Sequence, residues 1–346
     1  MSAELIIDLA QLRTNVAAVR ERMAPAEVLV VIKDDAYAQG VEPIVQAAYE
    51  AGARWFGGMD LPSSLRARRT AGEDARVLAW MTVSAPEAAE ALEGGLELGV
   101  GDVDYLERVA TVADDTGIVA RVHLKIDTGL HRNGVRPEHW DNFCRRAYAL
   151  ERAGCLRVVG IWSHIAEASD AEDDVSRAEF DRAVDVAKSV GLEPEVRHLA
   201  ASAAAWHRPE FRYDLTRIGA FCFGIRSEGG PDISEIAPIA TLVARVSHVS
   251  ADDVTIAIGS ADGLASSLAG RSHVSTPVGP RGIISVETFE TRIEGWRDAN
   301  VDDVVIVFGP GTRGEMTPTD VGEAIGTVGE EPLLRVSPLV PRRYVP

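Results

Sequence analysis

The sequence predicts an α/β fold: a (β/α)8 TIM barrel followed by a β-rich C-terminal domain. Three observations lead there. Between about residue 28 and residue 221, short apolar runs alternate with longer amphipathic ones, giving eight β/α units. After about residue 235 the pattern changes to apolar or alternating runs parted by Gly, Pro and Asp turns. A chain of 346 residues has room for one large domain and a smaller one, each with its own core. A doubly wound open sheet has the same periodicity and is the alternative architecture.

The barrel strands are expected at Val28–Ile32, Trp55–Met59, Val77–Met81, Leu96–Val100, Ala120–Ile126, Val158–Ile165, Glu195–Leu199 and Asp214–Ile218. Helical stretches such as PIVQAAYEAG and PEAAEALEGG lie between them, several ending in the glycine that commonly stops a helix. The barrel domain is assigned to residues 1–235, with its first few residues expected to pair with the C-terminal domain, residues 236–346. In that domain PIATLVARVSHVSA, VTIAIGSADG, RGIISVETFETRI and DDVVIVFG read as strands, and TPTDVGEAIG as a short helix.

Composition narrows the function classes. The hydrophobic fraction of 46% and charged fraction of 25% suit a globular protein. A net charge of −18 argues against nucleic acid and anionic membranes as partners. Cys144, Cys155 and Cys222 form no CxxC pair or disulfide framework, no apolar run is long enough for a bilayer, and the N-terminus has no signal-peptide h-region. A cytoplasmic protein is expected, and no metal site. Basic residues are mostly Arg, and the only lysines are Lys33, Lys125 and Lys188. Lys188 sits in a helical surface pattern. A lysine kept in such a chain is a candidate for work that guanidinium cannot do, such as forming a Schiff base.

A barrel presents its chemistry at the C-terminal ends of its strands. Those ends offer Lys33 in VVIKDDAYAQG, Lys125 to Arg132 in KIDTGLHR, His164 in GIWSHIAEASD, His198 and Ser202 in RHLAASAAAW, and Arg217-Ile218-Gly219-Ala220. An amine, imidazoles, a hydroxyl, a guanidinium and a Gly turn are the groups that a phosphate-bearing aldehyde cofactor needs. Taken alone, His164 and His198 would be ordinary structural histidines.

On these segments the chain resembles the alanine racemase family, pyridoxal-5′-phosphate (PLP) enzymes, over nearly its whole length. KDDAYAQG resembles the family's PLP-lysine motif, which implies that Lys33 holds the cofactor and that the Tyr37 phenol meets its phosphate. HLKIDTGLHRNG resembles the family's central segment. It implies that Arg132 meets the substrate carboxylate and that Lys125, often carbamylated in relatives, orients that arginine. By the same resemblance His164 stacks on the pyridine ring, Arg217 faces the pyridine nitrogen with His198 behind it, and Ser202, Gly219 and Ala220 bind phosphate. The implied assembly is a homodimer with shared active sites, acting on a small amino acid.

The resemblance breaks in the second half. The family's GYADG motif, whose tyrosine is the second catalytic base, reads Gly259-Ser260-Ala261-Asp262-Gly263 here. The family's CMD-like segment appears as Ser285-Val286-Glu287, and a phosphate-binding tyrosine aligns with Glu330. A serine hydroxyl is a poor proton shuttle near neutral pH without an activating base. The expected function is an amino-acid racemase or epimerase with an altered substrate or second base, in which Lys33, Arg132, His164 and Ser260 are the candidate catalytic residues. The alternatives are a PLP-dependent lyase (retro-aldol cleavage or decarboxylation) in a biosynthetic pathway, and a PLP-binding protein with little catalysis.

Overall fold

The computed structural model describes residues 3–227 and 229–346. The chain forms two compact units. One comprises Val19–Lys33 and Ala48–Gly219; the other gathers the chain up to Ala18, Asp34–Ala47 and the chain from Ala220 onward.

The first strand, β1 (Ala3–Asp8), belongs to the second unit. The first unit is an eight-stranded parallel barrel built from β2 (Glu27–Val31), β3 (Trp55–Gly58), β4 (Arg76–Ala79), β5 (Glu97–Val100), β6 (Ala120–Lys125), β7 (Leu156–Trp162), β8 (Val196–His198) and β9 (Leu215–Ile218). Neighbours pair in sequence order from β2 to β8, and β9 pairs with β2. The remaining seam is bridged by Asp214 N–H to Arg197 O (3.2 Å) and Arg217 N–H to Ala200 O (3.3 Å). This nearly closed barrel is the expected fold, and each expected strand lies within three residues of an observed one. Leu29, Trp55, Leu78, Val196 and Leu215, from five different strands, form a buried layer with Val31 and Trp80 packed against it. A filled interior of this kind leaves chemistry to the strand ends.

Local sequence fixes the crossovers. Ser84 caps the helix Ala85–Glu93 reciprocally with Glu87, and Asp102 caps Val103–Thr116 by accepting from Tyr105 N–H. Gly117 ends the latter in the left-handed region, at φ 70°.

In the second unit, β1 pairs antiparallel with β10 (Ala240–Val249). The sheet continues through β11 (Asp253–Ile256), β12 (His273–Thr276), β13 (Gly279–Val286), β14 (Thr291–Glu294), β15 (Val304–Phe308) and β16 (Arg342–Val345), in the order β11-β14-β13-β12-β15-β10-β1-β16. Extra pairing of β11 with β10 curls this sheet upon itself. The TPTDVGEAIG segment is the helix Pro318–Ile325, capped by Thr317 and stopped by Gly326.

Candidate active site

The KDDAY segment does not continue as a right-handed helix. Asp34, Asp35, Ala36, Tyr37 and Ala38 have φ of 54°, 55°, 53°, 58° and 60°, a left-handed turn without a glycine. Such a turn costs on the order of 1–2 kcal/mol per residue for L-amino acids. Non-glycine strain of this kind is held where a side chain must be aimed. Asp35 secures the turn: its carbonyl accepts from Gln39 and Gly40 N–H, and its carboxylate accepts from Val41 N–H at 3.2 Å. Lys33 is the residue immediately before the turn, two positions past β2.

Within the barrel unit, the strand ends bring together Lys33, Lys125, Arg132, His164, His198, Ser202, Arg217 and Gly219. Arg217 is buried, only 6% exposed. Its Nη2 donates to Ser163 O (2.8 Å), Leu199 O (2.9 Å) and His164 Nδ1 (3.1 Å), and its Nη1 to His198 Nδ1 (3.1 Å). Burial, with the Arg132 charge, pulls its pKa down to about 9, which leaves it cationic at neutral pH. His164 is driven the other way from a charged state: burial, then the cations Arg217, Arg132, Lys125 and Lys33, lower its pKa to about 3. Its ring is therefore neutral, with Nδ1 as an acceptor. Lys125 sits 4.4 Å above the Trp162 ring and is lowered to about 8 by burial and by Arg217 and Arg132.

Arg132 follows a turn that Asp127 organises. Asp127 Oδ1 accepts from Gly129 N–H and His131 N–H, both at 3.0 Å, and Oδ2 faces His131 Nδ1 at 3.1 Å. Thr128 and Ser163 hydroxyls pair at 2.9 Å, and Ser163 donates to Ile126 O at 2.7 Å, which ties this turn to the end of β7. Ser202 Oγ accepts from Gly219 N–H at 3.3 Å.

Tyr37, Ala220 and Ser260 belong to the other unit. Tyr37 is buried with its ring centroid 4.8 Å from that of Phe223. Burial raises its pKa well above 10, and the Glu330 carboxylate adds to the rise. Ser260 is exposed on a short 3-10 turn, Ser260–Asp262, with its N–H donated to Glu287 O at 2.8 Å.

Sequence reasoning missed Trp162, His123 and Glu97 inside the barrel and Glu167 in the loop that follows β7. Trp162 stacks on His198 (5.5 Å, 10°). His123 bonds His198, and Glu97 bonds His123. Glu167 accepts from Ala204 N–H at 2.8 Å. Polar residues inside expected strands, at positions 97 and 123, were the available signal.

The model of the alanine racemase N-terminal domain matches residues 7–227, and that of the C-terminal domain residues 245–344. The chain belongs to the alanine racemase family. It is 35% identical to the alanine racemase of Beutenbergia cavernae, covering 99% of this chain and 98% of that one. The structure of alanine racemase from Streptomyces coelicolor A3(2) superposes with a TM-score of 0.93 at 31% identity, over 99% of this chain and 98% of that one. The alanine racemase of Bartonella henselae, solved with covalently bound pyridoxal phosphate, shares the family fold at a TM-score of 0.89 and 20% identity, over 99% of each chain. No helix among the described residues is long and apolar enough to cross a membrane.

Proposed function

We propose that this chain is a PLP-dependent alanine racemase-type isomerase whose second proton-transfer group differs from the family's tyrosine. The observation that supports it best is that four cations, Lys33, Lys125, Arg132 and Arg217, act on the neutral His164 at the barrel mouth, with Arg217 bonded to it at 3.1 Å. A chain of net charge −18 that concentrates cations there is built for an anionic, phosphate- and carboxylate-bearing ligand. The donor set fits the cofactor: an amine, a flat neutral ring, a buried guanidinium, and the Ser202 hydroxyl beside Gly219 N–H.

Bound PLP supplies an electron sink that makes the substrate Cα–H acidic. Lys33 anchors it and moves the proton at Cα on one face. Arg132 binds the substrate carboxylate. Arg217, already fixed by His198, Ser163 and Leu199, would hold the cofactor's ring nitrogen as an N–H donor. His164, with its pKa near about 3, is a weak base; its role is to orient, through the bond from Arg217. Ser202 and the backbone N–H of Gly219 would hold the phosphate; Tyr37, with the Glu330 charge acting on its phenol, belongs to the other unit. The homodimer belongs to this reading. The lyase alternatives gain nothing from relatives that carry the racemase name.

Purified protein is expected to show the visible absorption of lysine-bound PLP, and Lys33→Ala to lose it along with turnover. An intact band in that variant rejects the assignment. In deuterated water, one alanine enantiomer should exchange its Cα–H faster than racemisation proceeds, because a missing positioned acid costs about 10²–10⁴-fold. Ser260→Tyr should then raise alanine racemisation. Equal, rapid exchange of both enantiomers by the wild type would show a full second base and remove the special role of Ser260.

A further inference from the structure

A line of buried polar groups runs through the barrel from its floor to Arg217. Glu97, at the start of β5, is 3% exposed, and His123 and His198 are fully buried. Glu97 Oε2 lies 2.7 Å from His123 Nε2, His123 Nδ1 lies 2.9 Å from His198 Nε2, and His198 Nδ1 lies 3.1 Å from Arg217 Nη1. Gly160 makes the room for this line: a Cβ there would stand 2.1 Å from His123 Nδ1.

Each link has one possible direction. Arg217 can only donate, so His198 Nδ1 must be a lone pair. Burial, with the Arg217 and Arg76 charges, holds the His198 pKa well below its usual value, and with Nδ1 a lone pair the single proton of the ring sits on Nε2. That proton points at His123 Nδ1, which must accept. The His123 proton is therefore on Nε2, pointing at Glu97. Glu97 is a carboxylate: burial opposes the charge, but the hydrogen bonds from His123 and Arg76 and the Arg76 charge overcome it and hold the pKa at about 2. The two ends require the same pair of tautomers.

We infer that Glu97 is a positioning residue for the reaction at the barrel mouth, setting the tautomers of His123 and His198 and so holding Arg217 as a fixed N–H donor. The significance of a fixed Arg217 rests on the PLP racemase reading; the proton positions do not. Outer-shell groups that fix the tautomer of metal-bound histidines typically cost about 10–100-fold when removed, and an effect of that order is expected here.

The substitution Glu97→Gln reverses the line with almost no change of shape. Glu97 Oε1 accepts from Arg76 Nε (2.6 Å) and Arg121 Nε (3.0 Å), and Oε2 from Arg76 Nη2 (3.0 Å) as well as His123; with its oxygen turned to the two Nε donors the new amide gives up one arginine bond instead of two, and His123 can change tautomer where arginine cannot. Its NH2 then faces His123 Nε2 and forces that nitrogen to accept. The protons of both rings move to Nδ1, and His198 presents N–H against Arg217 N–H. His123→Gln keeps the original direction, because an amide at that position can donate to Glu97 and accept from His198.

The test is ¹⁵N NMR of histidine-labelled full-length protein, with His123 and His198 assigned by substitution. The wild type is expected to show both rings neutral and protonated on Nε2, Glu97→Gln to move both protons to Nδ1, and His123→Gln to leave His198 protonated on Nε2. Turnover should fall about 10–100-fold in Glu97→Gln with KM little changed, since Arg132 is untouched, and recover toward wild type in His123→Gln. A merely structural Glu97 would alter stability and leave the proton positions alone. A wild-type His198 that is charged or protonated on Nδ1, or an unchanged His198 in Glu97→Gln, overturns the inference. If Glu97→Gln does not fold, the wild type and His123→Gln decide it by the same criterion. Loss of turnover from a failed racemase reading would leave the NMR result standing, so the two failures are separable.

Discussion

The two ends of the barrel treat arginine in opposite ways. On the floor, Arg76 and Arg121 meet Glu97 and Glu195, and Arg157 meets Glu195, at 2.6–3.1 Å. At the mouth, Arg217 is more deeply buried than any of these, yet its bonds go to carbonyls and imidazoles only. Cations on the floor are neutralised on the spot, and they close the barrel. At the mouth, Arg217 is held by neutral dipoles, and the Glu167 carboxylate acts on it through space without a bond. Burying a charge without a bonded counter-ion is costly, so the contrast supports the proposal that the mouth is the functional end.

The largest expected effect follows from removing the mouth cation. Arg217→Leu leaves His198 Nδ1, Ser163 O, Leu199 O and His164 Nδ1 without their donor. Each orphaned acceptor costs about 1–3 kcal/mol, less any relief from losing a buried charge. The urea midpoint should drop clearly, and PLP binding and racemisation should fall with it. A midpoint within error of wild type would mean that Arg217 holds nothing in place, and the contrast between the ends would collapse.

Acid should act on the mouth before the floor. His164 and His198 have folded pKa values below the unfolded value near 6.5, His164 at about 3. Below about pH 6.5 the unfolded chain therefore binds protons that the folded chain refuses, and stability falls as pH falls, by about 1.4 kcal/mol per pH unit per missing proton. Glu97, lowered to about 2, shifts in the same direction only below about pH 4.5, where its unfolded form begins to protonate. Urea titrations at pH 7.5, 6 and 5 should show this loss, and His164→Gln should reduce it. A stability independent of pH across that range would contradict the neutral rings.

Strand order and the barrel mouth are legible in the sequence because burial on both faces gives long apolar runs, and because strand ends advertise their polar residues. Lys33, His164 and Arg217 are placed at the mouth by that pattern alone. The left-handed turn at Asp34–Ala38 is not legible: it contains no glycine, and the local bonds by which Asp35 holds it use a residue that ordinary turns and helix starts use as well. His123 and Glu97 are hidden for a different reason. Each sits inside an apolar run, where a single polar residue reads as noise until its partner, 26 residues away in sequence, is seen 2.7 Å off. β12 and β16 escape the pattern because short strands such as His273–Thr276 and Arg342–Val345 carry little hydrophobic signal.

The smallest effect should come from the floor's outermost arginine. Arg157 has a 58% exposed side chain and a single ion pair, to Glu195 Oε1 at 2.9 Å. Glu195 keeps Arg76 and Arg121 when Arg157 is gone, so no buried charge is stranded. Exposed pairs of this kind contribute about 0–1 kcal/mol, screened by salt. Arg157→Gln should therefore shift the urea midpoint by no more than that, and less at high ionic strength. Cofactor absorbance and turnover should match wild type, because no bond connects Arg157 to the line from Glu97 to Arg217 except through Glu195 and the two arginines. A tenfold loss of turnover in Arg157→Gln would show that the charges on the outer floor do reach the mouth. The barrel would then be one electrostatic unit rather than two ends with separate tasks.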